Sequence, residues 1–232
     1  MRNHCHLRRA LHIFSTALIT AGIVIAVDVA MTLAWKEPVS TIYGSIQQGQ
    51  ASDSLDALER RFLGRTDVDT IVDALSPQRA RELARIFEQE VRTGEGIGRI
   101  EIPAIELETV VVAGTDTASL RKGPGHYPDT AFPGQGRTIG VAGHRTTYLA
   151  PFRRINEIDD GDEITLEMPY GSFTYRVQGH RIVDPFAVEI VDDVGYERLV
   201  LTACHPLYSA AERWAVFAEL VEVTGPNSGD GV

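Results

Sequence analysis

The sequence predicts a mainly β fold: an eight-stranded β-barrel with short helices, set behind an N-terminal apolar helix and a helical segment. Three observations predict it. From Gly98 onward, strand-like runs recur at 99–103, 106–112, 138–142, 163–168, 172–183, 187–191, 198–203 and 213–223. Turn signals separate them: Lys122-Gly123-Pro124-Gly125, Phe132-Pro133-Gly134, Asp160-Gly161-Asp162 and Pro169-Tyr170-Gly171. Before residue 97 the apolar residues instead form one continuous run and then recur at helical spacing.

The elements follow in order. Residues 11–35, LHIFSTALITAGIVIAVDVAMTLAW, carry one charge, Asp28, in their outer third. About 20 such residues cross the hydrocarbon of a bilayer. MRNHCHLRR before them holds Arg2, Arg8 and Arg9 and no acid, and no A-x-A cleavage site follows the apolar run. The expectation is a cytoplasmic tail over 1–10, an uncleaved signal-anchor over 11–35, and everything beyond outside the cell membrane. Residues 36–96 read as linker and helical stalk. The stretch 36–50 (KEPVSTIYGSIQQGQ) is polar and low in pattern, as a linker would be. Residues 52–93 read as helical, a stalk or a packing arm. Leu55, Leu58, Phe62 and Leu63 share one face, and Val68, Ile71, Val72 and Leu75 repeat the spacing. Ser76-Pro77 is a helix start, with Ala80, Leu83, Ala84, Phe87 and Val91 marking a face up to Thr93-Gly94. The barrel occupies 97–223, with one short helix expected over 148–155 (YLAPFRRI), and 224–232 is a polar tail.

Composition narrows the partners. The formal charge is −10, and beyond residue 35 there are 19 basic against 31 acidic residues. That balance argues against nucleic acid or an anionic membrane surface as partner. The expected topology puts Cys5 and Cys204 on opposite sides of the membrane, so they cannot pair within one chain. A lone exported thiol is either a small buried hydrophobe or a reactive group.

Cys204 ends the apolar run Leu199–Ala203 and is followed by His205-Pro206. A strand end presents a side chain on a rigid backbone, and a working thiolate needs cationic surroundings. Arg213 opens the next run and returns near the level of Cys204 if those strands are neighbours. A guanidinium there stabilises a thiolate or an oxyanion; an ordinary pairing with Glu212 or Glu219 is the alternative. His144, in TIGVAGHRTTY, also lies just past a short strand, beside a glycine that allows close approach. Two strand ends each presenting half of a Cys/His couple is the arrangement nucleophilic catalysis needs. His180 reads as a strand-face residue, His126 sits in a Gly/Pro loop that could line a groove, and His205 turns away from the cysteine's face. No histidines stand at zinc-ligand spacing and no acidic cluster suits calcium, so neither metal nor cofactor is expected.

The stretches GRIEIPAI, GPGHYPDTAFPG, TIGVAGHRTTYLAPFRRINEIDDGDEI and LVLTACHPLYSAAERWAV, in that order, resemble the catalytic domain of the sortases. These are membrane-anchored cysteine transpeptidases of Gram-positive surfaces. LTAC is similar to the family's T-L-x-T-C pattern. Val200 replaces the usual threonine before the leucine, and Ala203 stands where threonine is common. The resemblance implies a sortase-type barrel and a catalytic trio of Cys204, His144 and Arg213. His126, Tyr127, Thr146, Tyr148, Thr202 and Ala203 become candidate substrate contacts. It implies cleavage of an LAxTG/LPxTG-type sorting signal between Thr and Gly and transfer to a cell-wall amine, a peptidoglycan precursor. Surface proteins bearing that signal would be the partners. GPGHYP and GHRTTY are most similar to class E, the actinobacterial housekeeping enzymes. Pilin-polymerising class C is the alternative, and a non-catalytic anchored β-domain a more distant one. Asp184-Pro185-Phe186 spells the tripeptide of the class C lid but lies deep in the β region, where it reads as a strand-to-loop turn.

Overall fold

Alternation dictates the architecture. Ile139 and Val141, Leu199, Leu201 and Ala203, and Phe173, Tyr175 and Val177 turn to one face of their strands, and they bury together when the sheet curls around them. In the computed structural model, which describes residues 2–34, 38–65 and 75–226, the sheet closes completely. Its strands are β1 (Gly96–Ile102), β2 (Leu107–Ala113), β3 (Gly125–His126), β4 (Thr138–Gly143), β5 (Glu163–Met168), β6 (Gly171–Val183), β7 (Arg198–His205) and β8 (Glu212–Thr224). They run β1-β2-β3-β4-β7-β8-β6-β5 around the barrel. The β2–β3 and β4–β7 pairs are parallel and the other neighbours antiparallel.

The barrel has the expected eight strands, but one of them is not the expected one. Residues 187–191 alternate like a strand, yet Val188–Val191 is a 3-10 turn. Both sides of β7 are already paired, with β4 and β8, and this segment lays Ile190 and Val191 on the outside of the sheet instead. The eighth strand is β3, two residues inside what reads as a Gly/Pro loop. The short helix expected over 148–155 is absent as well. Tyr148, Leu149 and Ala150 have φ of 49°, 65° and 45°, a left-handed turn leading into Pro151, which disfavours a helical conformation at the residue before it.

Residues to Thr41 form one unit and Ile42 onward a second. The first contains α1, Arg2–Ala34. Within α1, Leu11–Val29 is long and apolar enough to cross a membrane, with mean hydropathy 1.8. Helix α2 spans Pro38–Leu63, so it begins where a linker was expected. The reason lies in its seam. Gly44, Gln48, Ala51, Leu55, Leu58 and Phe62 follow alternating steps of four and three, one helical face, but its first members are a glycine and a glutamine. Gln48 stands in for an apolar contact. Its Oε1 accepts from the Val110 N–H at 3.0 Å and its Nε2 donates to the Val110 carbonyl at 3.1 Å and to the Lys122 carbonyl. Further along, Ala51 and Leu55 pack on Val110 and Val112, and Leu58 and Phe62 enter the main core. From Gly44 onward the segment is therefore a packing arm and not a stalk. Helix α3, Pro77–Glu90, starts as expected, with Ser76 accepting from the Arg79 N–H, and buries Ala80, Leu83, Ala84 and Phe87. Phe87 meets the Phe62, Phe132 and Tyr170 rings at 5.5, 5.7 and 5.3 Å. Burying each such ring stabilises by about 2 kcal/mol. The expected helical repeat at Val68, Ile71 and Val72, and residues 227–232 of the tail, lie outside the described residues.

One buried carboxylate fixes the loop between β3 and β4. Glu197 accepts from the Gly134 N–H at 2.8 Å, the Gly136 N–H at 2.7 Å and the Tyr175 hydroxyl at 2.8 Å. Burial raises its pKa, against the pull of those hydrogen bonds and of Arg81. Glu197→Ala strands a buried and a half-buried backbone donor and a buried hydroxyl, so it is expected to lower unfolding stability by about 3 kcal/mol, read from urea denaturation.

Candidate active site

Strand β4 runs parallel to β7, with Thr138 opposite Arg198 and Gly143 opposite Ala203. Parallel pairing brings both C-terminal ends to the same rim, so His144 and Cys204, each the next residue, emerge side by side. The antiparallel β7–β8 pair then sets Arg213 directly across from Cys204. Alternation separates the two faces of these strands. Leu199, Leu201 and Ala203 point into the barrel core, while Val200, with Ala215 and Phe217 of β8, belongs to the outer cluster. Cys204 and Arg213 share that outer face, and His144 joins them in step with Gly140 and Ala142.

Glycines make this packing possible. A Cβ on Gly143 would strike the Phe152 ring, and one on Gly140 would sit 2.5 Å from the Tyr127 ring. The Phe152 N–H donates to the His144 carbonyl at 3.0 Å, holding the strand end. The His144 ring is 5.2 Å from that of Tyr148, which in turn meets Tyr43 of α2 at 6.2 Å and lies under the Arg121 guanidinium at 5.6 Å. Gly44 lies against Leu149, where a Cβ would come within 2.7 Å of its side chain, so α2 backs the left-handed turn.

Electrostatics around the imidazole are one-sided. Burial, and then the charge of Arg121, lower the pKa of His144 from its ordinary value, so the ring is neutral at neutral pH. Its Nε2 is buried with no hydrogen-bond partner among the described residues. Cys204 is half-buried and unpaired. Arg213 does not pair with Glu212 or Glu219. Its Nη1 donates to the Ala210 carbonyl at 3.0 Å and the Glu212 carbonyl at 2.9 Å, and the Glu219 carboxylate takes Gln178 instead.

The remaining candidates divide. The Tyr127 hydroxyl hydrogen-bonds Thr202 Oγ1 at 2.8 Å, which joins the β3–β4 loop to the outer face of β7. Thr146 and Tyr148 are half-buried beside His144 in sequence, and Ala203 is buried on the inner face. His126 departs from expectation. It is 3% exposed, its Nε2 donates to the Ala131 carbonyl at 2.8 Å, and it stacks on Phe132 at 4.4 Å. Its side chain therefore holds the loop and does not line a groove. Asp184-Pro185-Phe186 forms a turn after β6, with the Phe186 N–H on Asp184 Oδ1 at 2.9 Å. One residue passed over in the sequence is Arg145, 6% exposed behind the same strand ends. Next to a histidine it reads as a solvated charge. The signal was the alternation Ile139, Val141, Gly143, which carried one step further points residue 145 inward.

The Sortase domain family matches residues 100–221, more than half of the chain. The chain belongs to the sortase family. It is 38% identical over 133 residues to Sortase D of Bacillus subtilis and 29% identical over 145 residues to Sortase SrtE1 of Streptomyces coelicolor, each match covering 56% of this chain. The matches span 66% and 41% of those relatives' own lengths, so what is shared is a domain. Sortase E from Streptomyces avermitilis superposes with a TM-score of 0.54 at 34% identity, over 60% of this chain and 97% of that one. Sortases are cysteine transpeptidases that act on proteins bearing sorting signals, and they are generally membrane-associated.

Arg121→Gln removes one of the two influences that hold His144 down. The His144 imidazole is expected to titrate at higher pH than in the parent chain, still below an exposed histidine because burial remains; NMR titration of the ring resonances reads this directly.

Proposed function

We propose that this sortase is anchored by Leu11–Val29 with its N-terminus in the cytoplasm, and that its barrel acts outside the membrane on a C-terminal LAxTG/LPxTG-type signal. The observation that carries the chemistry is the register: Gly143 opposite Ala203 and Cys204 opposite Arg213 gather a thiol, an imidazole and a guanidinium on one outer face. Cys204 gives its thiol proton to the neutral His144 imidazole as its Sγ attacks the Thr–Gly carbonyl carbon. Arg213 holds the oxyanion, the C–N bond breaks as His144 gives a proton to the leaving glycine amine, and a thioester remains. The amine of a peptidoglycan precursor then attacks the thioester, His144 takes its proton, and the C–S bond breaks. The product is an amide between the surface protein and the wall.

The outer face supports this reading. A Cβ on Gly140 would meet the Tyr127 ring at 2.5 Å and the Val191 side chain at 3.2 Å. The β6–β7 connection beside it carries Phe186 and Val188, 83% and 75% exposed, suited to the apolar part of a peptide. Tyr127, Thr146, Tyr148 and Thr202 are the polar candidates for contact. GPGHYP and GHRTTY are most similar to class E, which supports a preference for alanine at the second position of the signal.

The test uses the full-length chain in detergent with LAETG and LPETG peptides and a glycine-based amine. Mass spectrometry is expected to find a thioacyl adduct on Cys204 and a transpeptidation product, larger with LAETG. Cys204→Ala abolishes both, and His144→Ala slows turnover by about 1000-fold. An alkylation-resistant Cys204 with no adduct from either peptide would return the chain to a non-catalytic role.

A further inference from the structure

Behind the outer face lies a second layer of charge that the acyl-transfer scheme does not use. Arg145 follows His144 and turns into the barrel, where it is almost fully buried. Its Nη1 donates to the Cys204 carbonyl at 3.3 Å and to His205 Nδ1 at 3.1 Å. Its Nη2 donates to Asn156 Oδ1 at 2.6 Å and its Nε to the Arg153 carbonyl at 3.4 Å. The guanidinium lies 6.0 Å from the centre of the Trp214 ring, which also faces His205 at 5.4 Å. Among the described residues no carboxylate stands in ion-pair range of Arg145. Burial and the neighbouring charge of Arg153 both lower its pKa, and the charge of Cys204 acts in the opposite sense.

A buried guanidinium without an acid partner is costly, and an ordinary structural arginine is spared that cost by a carboxylate. Here the acceptors are two backbone carbonyls, an amide and an imidazole. They belong to the turn at 153–156 and to the end of β7. One side chain therefore ties the strand end that presents His144 to the strand end that presents Cys204, from the opposite side of the sheet. It also settles the competition between neighbouring imidazoles. An arginine N–H only donates, so His205 Nδ1 is committed as an acceptor, whereas His144 Nε2 is uncommitted.

Resting on the reading of Cys204 and His144 as nucleophile and acid–base, we propose that Arg145 is the positioning residue of this site: a buried fork that sets the spacing of the two strand ends and withholds His205 from proton transfer. It touches neither peptide nor acceptor. Its removal is felt in the rate and not in peptide binding.

The experiment compares the full-length chain in detergent with Arg145→Lys and Arg145→Gln, alongside Cys204→Ala, using the LAETG peptide. Lysine keeps the charge but cannot bridge four acceptors. Both variants are expected to fold, by near-UV circular dichroism, and to lose kcat by about 100-fold with KM for the peptide unchanged. The 15N resonance of His205 Nδ1 is expected to move in both, because its donor is gone; a merely structural change elsewhere leaves it in place. Parental kcat in either folded variant overturns the proposal, as does a rise in KM that accounts for the whole loss. Turnover retained by Cys204→Ala would instead remove the underlying site assignment, a result the Arg145 variants cannot mimic.

Discussion

The parallel pairing of β4 with β7 is the constraint on which the site depends. Antiparallel neighbours send successive strand ends to opposite rims, and a thiol and an imidazole placed at two such ends would lie a strand length apart. Two parallel strands finish together. The requirement has a topological cost, since a parallel neighbour needs a long crossover, and β5, β6 and the loops around them supply it between β4 and β7. Once that pair is fixed, the antiparallel return of β8 brings Arg213 opposite Cys204 without further provision.

Much of this was legible because the strands alternate cleanly. Strands β4, β5, β6, β7 and β8 fall where period-two runs and Gly/Pro turns place them, and the sequence positions of Cys204, His144 and Arg213 at strand ends agree with the pairing, while their catalytic roles follow only from the resemblance to the sortases. The parts that were not legible share a cause: their partners are polar or backbone groups, which leave no apolar period. The start of α2 is masked because Gly44 and Gln48 occupy its seam. Strand β3 is two residues long and held by neighbours that sequence spacing does not reveal. Residues 187–191 carry a strand's pattern in full, yet Val188–Val191 is a 3-10 turn packed on the outside of a sheet in which β7 is already paired on both sides. Arg145 was hidden for the same reason, since a charge beside a histidine at a loop start looks like a solvated one.

Net charge was a poor guide to the local field. The chain is acidic overall, yet Arg121 acts on His144, Arg153 on Arg145, and Arg145 interacts with the charge of Cys204. A few fixed guanidinium groups at short range outweigh many carboxylates that water and salt screen.

The closure of the barrel has a consequence for how any peptide is read. Many proteins capture an extended segment by letting it join a sheet as an extra strand, with affinity coming from backbone hydrogen bonds that ignore side chains. In this sheet every strand has a neighbour on each side over at least part of its length, and where short β3 leaves Val110 of β2 uncovered, the Gln48 amide takes both its N–H and its carbonyl. A guest chain that lies across the outer face is held there by side chains and loops. Recognition and scaffold are then separable, and the β6–β7 and β7–β8 connections can change what is accepted while the strands that gather the reactive groups stay as they are.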